Sequence, residues 1–152
     1  MPVWAKALIA ILILGVLVVL ATIGAGVYWF SRNKDQLLAK GKAQYEEGVA
    51  AGRATDNQGC VDRGIERYKA DPGIASGIAS GIFMQSCLEV SSPTEGFCDD
   101  IPKESEFIKS GQWRLEQCQR VDLASDNYCQ QLFAPVQRFC DKQGTVRKSA
   151  EP

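Results

Sequence analysis

The stretch ALIAILILGVLVVLATIGAGVYWFS, residues 7–31, decides the fold of this chain, because it contains no charged residue over its 25 positions. About 20 apolar residues in an α-helix are enough to span the hydrocarbon core of a bilayer. Lys6 precedes the stretch and Arg32 follows it. Trp4 and the aromatic run 28–30 stand at its two ends, where such rings favour the headgroup layers. We therefore predict an N-terminal transmembrane anchor over residues 1–32.

A cleaved signal peptide is the alternative interpretation of this segment. The apolar region of a signal peptide is about 7–15 residues long and ends at a small-x-small site. The apolar run here is longer, and its best cleavage site, Ile23-Gly24-Ala25, begins with a bulky residue. We therefore expect the segment to be retained as an anchor.

The cysteines indicate the compartment of the rest of the chain. All six lie beyond the apolar stretch, at Cys60, Cys87, Cys98, Cys118, Cys129 and Cys140. An even number of cysteines in a domain of about 110 residues is typical of an oxidising compartment. We expect an extracytoplasmic domain over residues 33–142 that is held together by disulfides.

The positive charges next to the anchor favour the opposite topology. Lys6 stands before the apolar run, whereas Arg32, Lys34, Lys40 and Lys42 follow it. By the positive-inside rule this bias places the domain in the cytoplasm, although a long domain can be translocated regardless of its charges. We give the cysteines more weight and expect the N-terminus to be cytoplasmic. The absence of an Asn-x-Ser/Thr sequon favours a bacterial inner membrane over a eukaryotic secretory route.

Turn positions suggest one disulfide pattern among the 15 that six cysteines allow. Cys118 and Cys129 lie at similar distances on either side of the loop at 122–125, which favours a bridge across an antiparallel helix pair. Cys87 and Cys98 flank a Pro/Gly-rich loop and can close it. The remaining bridge is then Cys60–Cys140.

The soluble part is predicted to be all-α, because no segment alternates in the manner of a strand. We expect an amphipathic helix over 35–55, whose glycines indicate a closely packed neighbour, and a short second helix with Asn57 as its N-cap. A helix over 103–120 is predicted to direct Phe107, Ile108, Trp113 and Leu115 towards a core. Pro135 is expected to kink or break a last helix over 126–142. Residues 143–152 are predicted to form a mobile polar tail.

A glycine repeat marks the segment between these helices. Gly73, Gly77 and Gly81 are four residues apart, and each is followed by an isoleucine, Ile74, Ile78 and Ile82. On a helix this spacing gives a smooth groove beside an apolar ridge, and it allows close backbone approach. Two interpretations remain open, a buried core helix and an exposed groove over Gly73–Met84 that binds a lipid or a partner.

Catalytic and metal-binding signatures are lacking in the sequence. It contains no histidine, so the commonest general base and the commonest metal ligand are both missing. No C-x-x-C pair and no glycine-rich phosphate loop occurs. The formal charge is −1, with both signs interspersed, which argues against nucleic acid as a partner. We expect no enzymatic activity, no cofactor and no bound metal.

Small residues form one face of the predicted anchor, namely Gly15, Ala21, Thr22, Ala25 and Gly26. Such a face allows another transmembrane helix to approach closely. No charge lies within the span, which argues against ion conduction or proton relay through it. The expected partners are the lipid bilayer and an integral membrane protein complex, with a homo-oligomer as a further option.

Two functional hypotheses follow from these patterns. The first is a non-catalytic accessory or assembly subunit, whose anchor packs against a larger membrane complex and whose helical domain braces that complex outside the cytoplasm. The second is an extracytoplasmic binding module that holds an apolar ligand or a client peptide in the Gly73–Met84 groove. The stretches CLEVSSPTEGFCDDIP (87–102) and FAPVQRFC (133–140) resemble motifs but indicate no mechanism by themselves.

Overall fold

The computed structural model describes residues 3–149, with side chains at positions 4, 9 and 11–144. Within that range it contains six helices and no strand, which confirms the predicted all-α class. The helices are α1 (Val3–Gly52), α2 (Asn57–Ala70), α3 (Ile74–Val90), α4 (Phe107–Arg120), α5 (Cys129–Leu132) and α6 (Ala134–Ser149). The chain divides into two compact units, Met1–Lys40 and Gly41–Pro152.

The first unit contains the apolar part of α1 and extends to Lys40. Among the described residues, α1 is the one helix long and apolar enough to cross a membrane, and none of its most apolar window is buried. The side chains at 11–30 are all exposed, since nothing in the unit covers them. The Thr22 hydroxyl donates to the Val19 carbonyl at 2.8 Å, which satisfies this polar group within the helix itself. The guanidinium of Arg32 lies 5.4 Å from the Tyr28 ring centroid.

Helices α2 and α3 form the centre of the second unit. Asp56 caps α2 by accepting a hydrogen bond from the Gly59 amide at 2.8 Å. Asn57, which we predicted as the cap, is instead the first residue of α2, and its side chain is buried. The segment 71–73 separates α2 from α3, as its Asp-Pro-Gly sequence predicts.

The end of α1 packs closely against α3 within the second unit. A Cβ added at Gly48 would lie 2.4 Å from the Phe83 carbonyl oxygen, and one added at Gly52 would lie 2.4 Å from the Cys87 carbonyl oxygen. Only glycine allows the two backbones to approach so closely, which confirms the predicted close neighbour at these two glycines, whereas a Cβ added at Gly41 would meet no atom within 4 Å. Arg67 of α2 then binds Glu47 of α1 through its guanidinium.

Helix α4 is rotated relative to the prediction. Phe107 and Ile108 are 83% and 79% exposed, so placing them near a core was wrong; Leu115 is also exposed. Polar contacts set the rotation, because Ser110 donates to the Oε1 of buried Gln137 at 2.9 Å and Arg114 donates to the same atom. On the same side, Trp113 packs edge-on against Phe133 with ring centroids 5.8 Å apart.

The structure contains three disulfides, and two of them differ from the predicted pairing. Cys118–Cys129 is confirmed. The predicted bridges Cys87–Cys98 and Cys60–Cys140 are wrong, because the bridges found are Cys60–Cys87 and Cys98–Cys140. The reason is that α2 and α3 are themselves an antiparallel pair, so Cys60 and Cys87 meet across it with Cα atoms 5.7 Å apart.

The C-terminal helices partly follow the sequence prediction. The predicted break near Pro135 is present, since α5 ends at Leu132 and α6 begins at Ala134 with the proline in its first turn. Helix α6 continues to Ser149, so residues 143–149 of the predicted polar tail are helical, and 150–152 lie outside the described residues. Helix α4 begins at Phe107 rather than at Lys103.

Candidate functional site

The predicted packing face of the anchor is open in the first unit. Gly15, Ala21, Thr22, Ala25 and Gly26 are all exposed. A Cβ added at Gly15 or Gly26 would meet no atom within 4 Å. Because the Thr22 hydroxyl is already bonded to the Val19 carbonyl, this face presents small and largely apolar groups to a neighbouring helix or to lipid.

The predicted groove on α3 is not open along its glycine side. A Cβ added at Gly77 would lie 3.6 Å from the Tyr68 ring, and one added at Gly81 would lie 3.9 Å from Pro135. The ridge is the exposed part instead, with Ile74 and Ile78 about three-fifths exposed and Ile82 half-buried. The end of the segment, at Phe83 and Met84, is core. A Cβ added at Gly73 would meet no atom within 4 Å.

A cleft of about 920 Å³ lies between the end of α3, the loop 91–106 and α6. Its apolar surface comes from Leu88, Ile101 and the rings of Phe97 and Phe139, which pack edge-on with centroids 6.1 Å apart. The two stretches that resembled motifs in the sequence meet here, one on each side. The sequence therefore contained a signal for this site, but not the pairing that brings the two stretches together.

The walls of the cleft are held by a disulfide and by hydrogen bonds of the Asn57 side chain. The Cys98–Cys140 bridge ties the loop to α6 and itself lines the cleft. At one end, the buried Asn57 side chain donates to the Ser91 hydroxyl at 2.8 Å and accepts from the Thr94 amide at 2.9 Å. These links cross between segments far apart in sequence, so the cleft is formed by the fold and not by one flexible loop.

A second set of bonds fixes the loop against α6. Asp141 accepts a hydrogen bond from the Glu104 amide at 3.0 Å, and the Gln137 side-chain amide donates to the Pro102 carbonyl at 3.0 Å. Gln137 is fully buried, and each polar atom of its side chain has a partner. The loop is thus held at both ends, because Asn57 binds its beginning and α6 binds its end.

Negative charge prevails in the cleft lining. Glu89, Asp99 and Asp141 contribute carboxylates, and Lys103 contributes the one ammonium group. None of the ion pairs among the described residues involves these three carboxylates. The cleft therefore combines an apolar floor with an acidic rim, an arrangement suited to a cationic ligand that also carries an apolar group.

The groups with shifted pKa values lie away from this cleft. Burial, followed by the hydrogen bond to Asp126, raises the pKa of Tyr68 to about 12. The same bond lowers the pKa of Asp126. Burial lowers the pKa of Arg114, and the hydrogen bond from Lys109 lowers the pKa of Glu106 on the surface. Tyr68 is fully buried, so this pair contributes to stability and is closed to a substrate.

Comparison with known proteins gives no identification. No family model, no characterised protein and no solved structure matches the chain. All six cysteines are bonded in the structure, and the described residues hold no cluster of three or more carboxylate or thiol ligands suited to a metal ion.

Proposed function

We propose that this protein is a non-catalytic, single-pass accessory or assembly subunit of a larger membrane complex. In this proposal the anchor packs against an integral membrane partner through the face formed by Gly15, Ala21, Thr22, Ala25 and Gly26. The helical domain lies outside the cytoplasm, in a bacterial inner-membrane setting with a cytoplasmic N-terminus, and braces the complex there.

The exposed small-residue face of the apolar helix is the observation that supports this proposal most. Helix association in lipid depends on close packing, which small residues permit. Gly26 is exposed and has open space around its Cβ position, so a second helix can approach at that point. Three disulfides in the second unit fit an oxidising compartment.

The two glycines at 24 and 26 allow a matched test. They are two residues apart, so they lie on nearly opposite sides of the helix, and both have open space at the Cβ position. The full-length tagged chain is purified in a mild detergent, and intact complexes are weighed by mass spectrometry. We expect a stoichiometric membrane partner with wild type and with Gly24→Leu, and loss of that partner with Gly26→Leu.

Two results would count against the proposal. A wild-type chain that purifies alone would show that it forms no stable complex with a membrane partner. Equal loss of the partner in both glycine variants means that the predicted face has no special role. Free thiols are counted on the same sample, and six free thiols would place the domain in the cytoplasm and contradict the topology.

A binding module remains the second candidate function. The cleft between α3, the loop 91–106 and α6 suits it better as a binding site than the Gly73–Met84 groove does. The groove is covered by Tyr68 and Pro135 along its glycine side, whereas the cleft is open and has a mixed apolar and acidic lining. The two functions are compatible, because the anchor face and the cleft share no residue.

A further inference from the structure

We infer that the cleft between α3, the loop 91–106 and α6 binds an extended segment of a partner protein, in which an apolar side chain stands next to a lysine or arginine. This inference is independent of the anchor, and it stands or falls without the membrane complex proposed above. It follows from the floor, the rim and the openness of the cleft.

The floor of the cleft is apolar and fixed in place. Phe97 and Phe139 pack edge-on, and the Cys98–Cys140 bridge stands next to both rings in sequence, so the two aromatic residues are joined covalently through their neighbours. A prearranged apolar surface loses little freedom when a ligand binds, which favours affinity. An aromatic or aliphatic side chain is the group that this surface suits.

The charged rim of the cleft determines which residue of the ligand stands next to its apolar side chain. Glu89 and Asp99 are exposed carboxylates on different walls of the cleft, and Asp141 lies on a third segment. Within the lining, three carboxylates stand against the ammonium of Lys103, so the rim is net negative, and on its other side Glu89 borders Arg138 and Lys142. A lysine or arginine on the ligand complements this rim, and a carboxylate is repelled by it.

The openness of the cleft favours a peptide over a small molecule. Sites for small ligands bury most of the ligand surface. Here Pro93, Asp99, Lys103 and Gln143 are exposed parts of the lining, so the cleft is open to solvent along its length. A volume of about 920 Å³ is more than one side chain fills. An extended segment places one side chain on the floor and continues past both rims.

The neighbouring acids supply a matched pair of variants. Glu89 and Asp99 line the cleft, whereas Glu95 and Asp100 are also exposed acids but lie outside its lining. The double variant Glu89→Gln/Asp99→Asn removes two charges from the rim. The double variant Glu95→Gln/Asp100→Asn removes the same charge from nearby surface. All four side chains are on the surface, so both variants are expected to fold, and circular dichroism and a thiol count verify this.

The experiment measures binding of short fluorescent peptides to the full-length chain in detergent micelles by fluorescence anisotropy. The probe has a central phenylalanine between a lysine and an arginine in a glycine–serine background. One comparison peptide replaces the basic residues with glutamates, and another replaces the phenylalanine with serine. Phenethylamine, a small aromatic amine, serves as competitor.

We expect saturable binding of the basic aromatic peptide and much weaker binding of both comparison peptides. The rim variant is expected to bind about fivefold to tenfold more weakly, with the control variant unchanged. Equal weakening in both variants would mean diffuse charge attraction and would overturn the inference. Absence of binding, or binding of the glutamate peptide at equal strength, would also overturn it. Full displacement by phenethylamine at comparable concentration would assign the cleft to small molecules instead.

Discussion

The hydroxyl of Tyr68 donates to both carboxylate oxygens of Asp126, at 2.7 and 2.8 Å. Tyr68 is fully buried in α2, whereas Asp126 belongs to the loop between α4 and α5. Asp126 also accepts a hydrogen bond from the Tyr128 amide at 2.7 Å, which shapes that loop. The pair therefore joins the central helix pair to the C-terminal part of the domain.

Replacing Tyr68 with phenylalanine is expected to lower the free energy of unfolding by about 2 kcal/mol at neutral pH. The ring is retained and the hydrogen bond to a charged carboxylate is lost, and such bonds contribute roughly 1.5–3 kcal/mol. Urea unfolding of the full chain in detergent measures the change. Tyr45→Phe is the control, since that side chain is half exposed, and its effect is expected to stay within about 0.5 kcal/mol.

The same pair gives a stability change with acid. The pKa of Asp126 is lowered from its ordinary 3.8 by the Tyr68 hydrogen bond, so its contribution is present above about pH 4 and is lost as the pH falls through the lower folded value. The difference between wild type and Tyr68→Phe is therefore expected to shrink as the pH falls below about 4. A difference that stays constant over that range would contradict this linkage.

Alkaline titration is expected to show one tyrosine that ionises late. Burial and Asp126 raise the pKa of Tyr68 to about 12 from an ordinary 10.0, so the stability linked to its neutral form is present below pH 10 and is lost as the pH rises through about 12. Phenolate absorbance of the folded chain should contain a late step. That step is expected to vanish in Tyr68→Phe and to persist in Tyr45→Phe. A late step that survives in Tyr68→Phe belongs to another residue.

Two glycines of α1 are expected to tolerate no side chain. Gly48→Ala and Gly52→Ala place a Cβ 2.4 Å from a backbone carbonyl oxygen of α3, and the helices must separate to relieve this contact. Each substitution is expected to cost about 1–3 kcal/mol or more. Gly41→Ala in the same helix meets no atom within 4 Å and is expected to stabilise by about 0.5–1 kcal/mol. Thermal unfolding of the three variants tests this order, and equal effects would refute the close approach.

The disulfides are expected to differ in their contribution to stability. Bridges Cys98–Cys140 and Cys118–Cys129 span 42 and 11 residues. Loop-closure entropy gives about 4 kcal/mol for the longer loop and about 3 kcal/mol for the shorter one. Paired Cys→Ala variants at each bridge, unfolded in urea, measure the two values without burying a hydroxyl in the core. A smaller loss for Cys98→Ala/Cys140→Ala than for Cys118→Ala/Cys129→Ala would contradict the order expected from chain entropy.

The helices and the Cys118–Cys129 bridge could be predicted because each depends on local information. Apolar periodicity and turn residues set the helix positions, and equal distance from one turn set the bridge. The same reasoning extends to Cys60 and Cys87, which lie at similar distances on either side of the break at 71–73. This equal spacing predicts the Cys60–Cys87 bridge, but the short loop between Cys87 and Cys98 favours a different partner for Cys87.

The orientation of α4 and the cleft could not be predicted in the same way. Phe107 and Ile108 are apolar, but the rotation of their helix depends on Ser110 and Arg114 binding a glutamine far along the chain. The cleft depends likewise on Cys98 reaching Cys140, a choice among many pairings. Such long-range contacts leave no periodic trace in the sequence.

The three disulfides differ in how far their cysteines are buried, and this difference determines when each bridge is accessible to a redox reagent. Cys60, Cys87 and Cys129 are fully buried and Cys118 is 1% exposed, whereas Cys98 is half-buried beside the cleft. An oxidant can reach Cys60–Cys87 and Cys118–Cys129 only before the core closes, so we expect these two bridges to form while the chain folds. Cys98 is the partly exposed member of the remaining bridge, Cys98–Cys140, so an external thiol is expected to reduce this bridge first once the domain has folded.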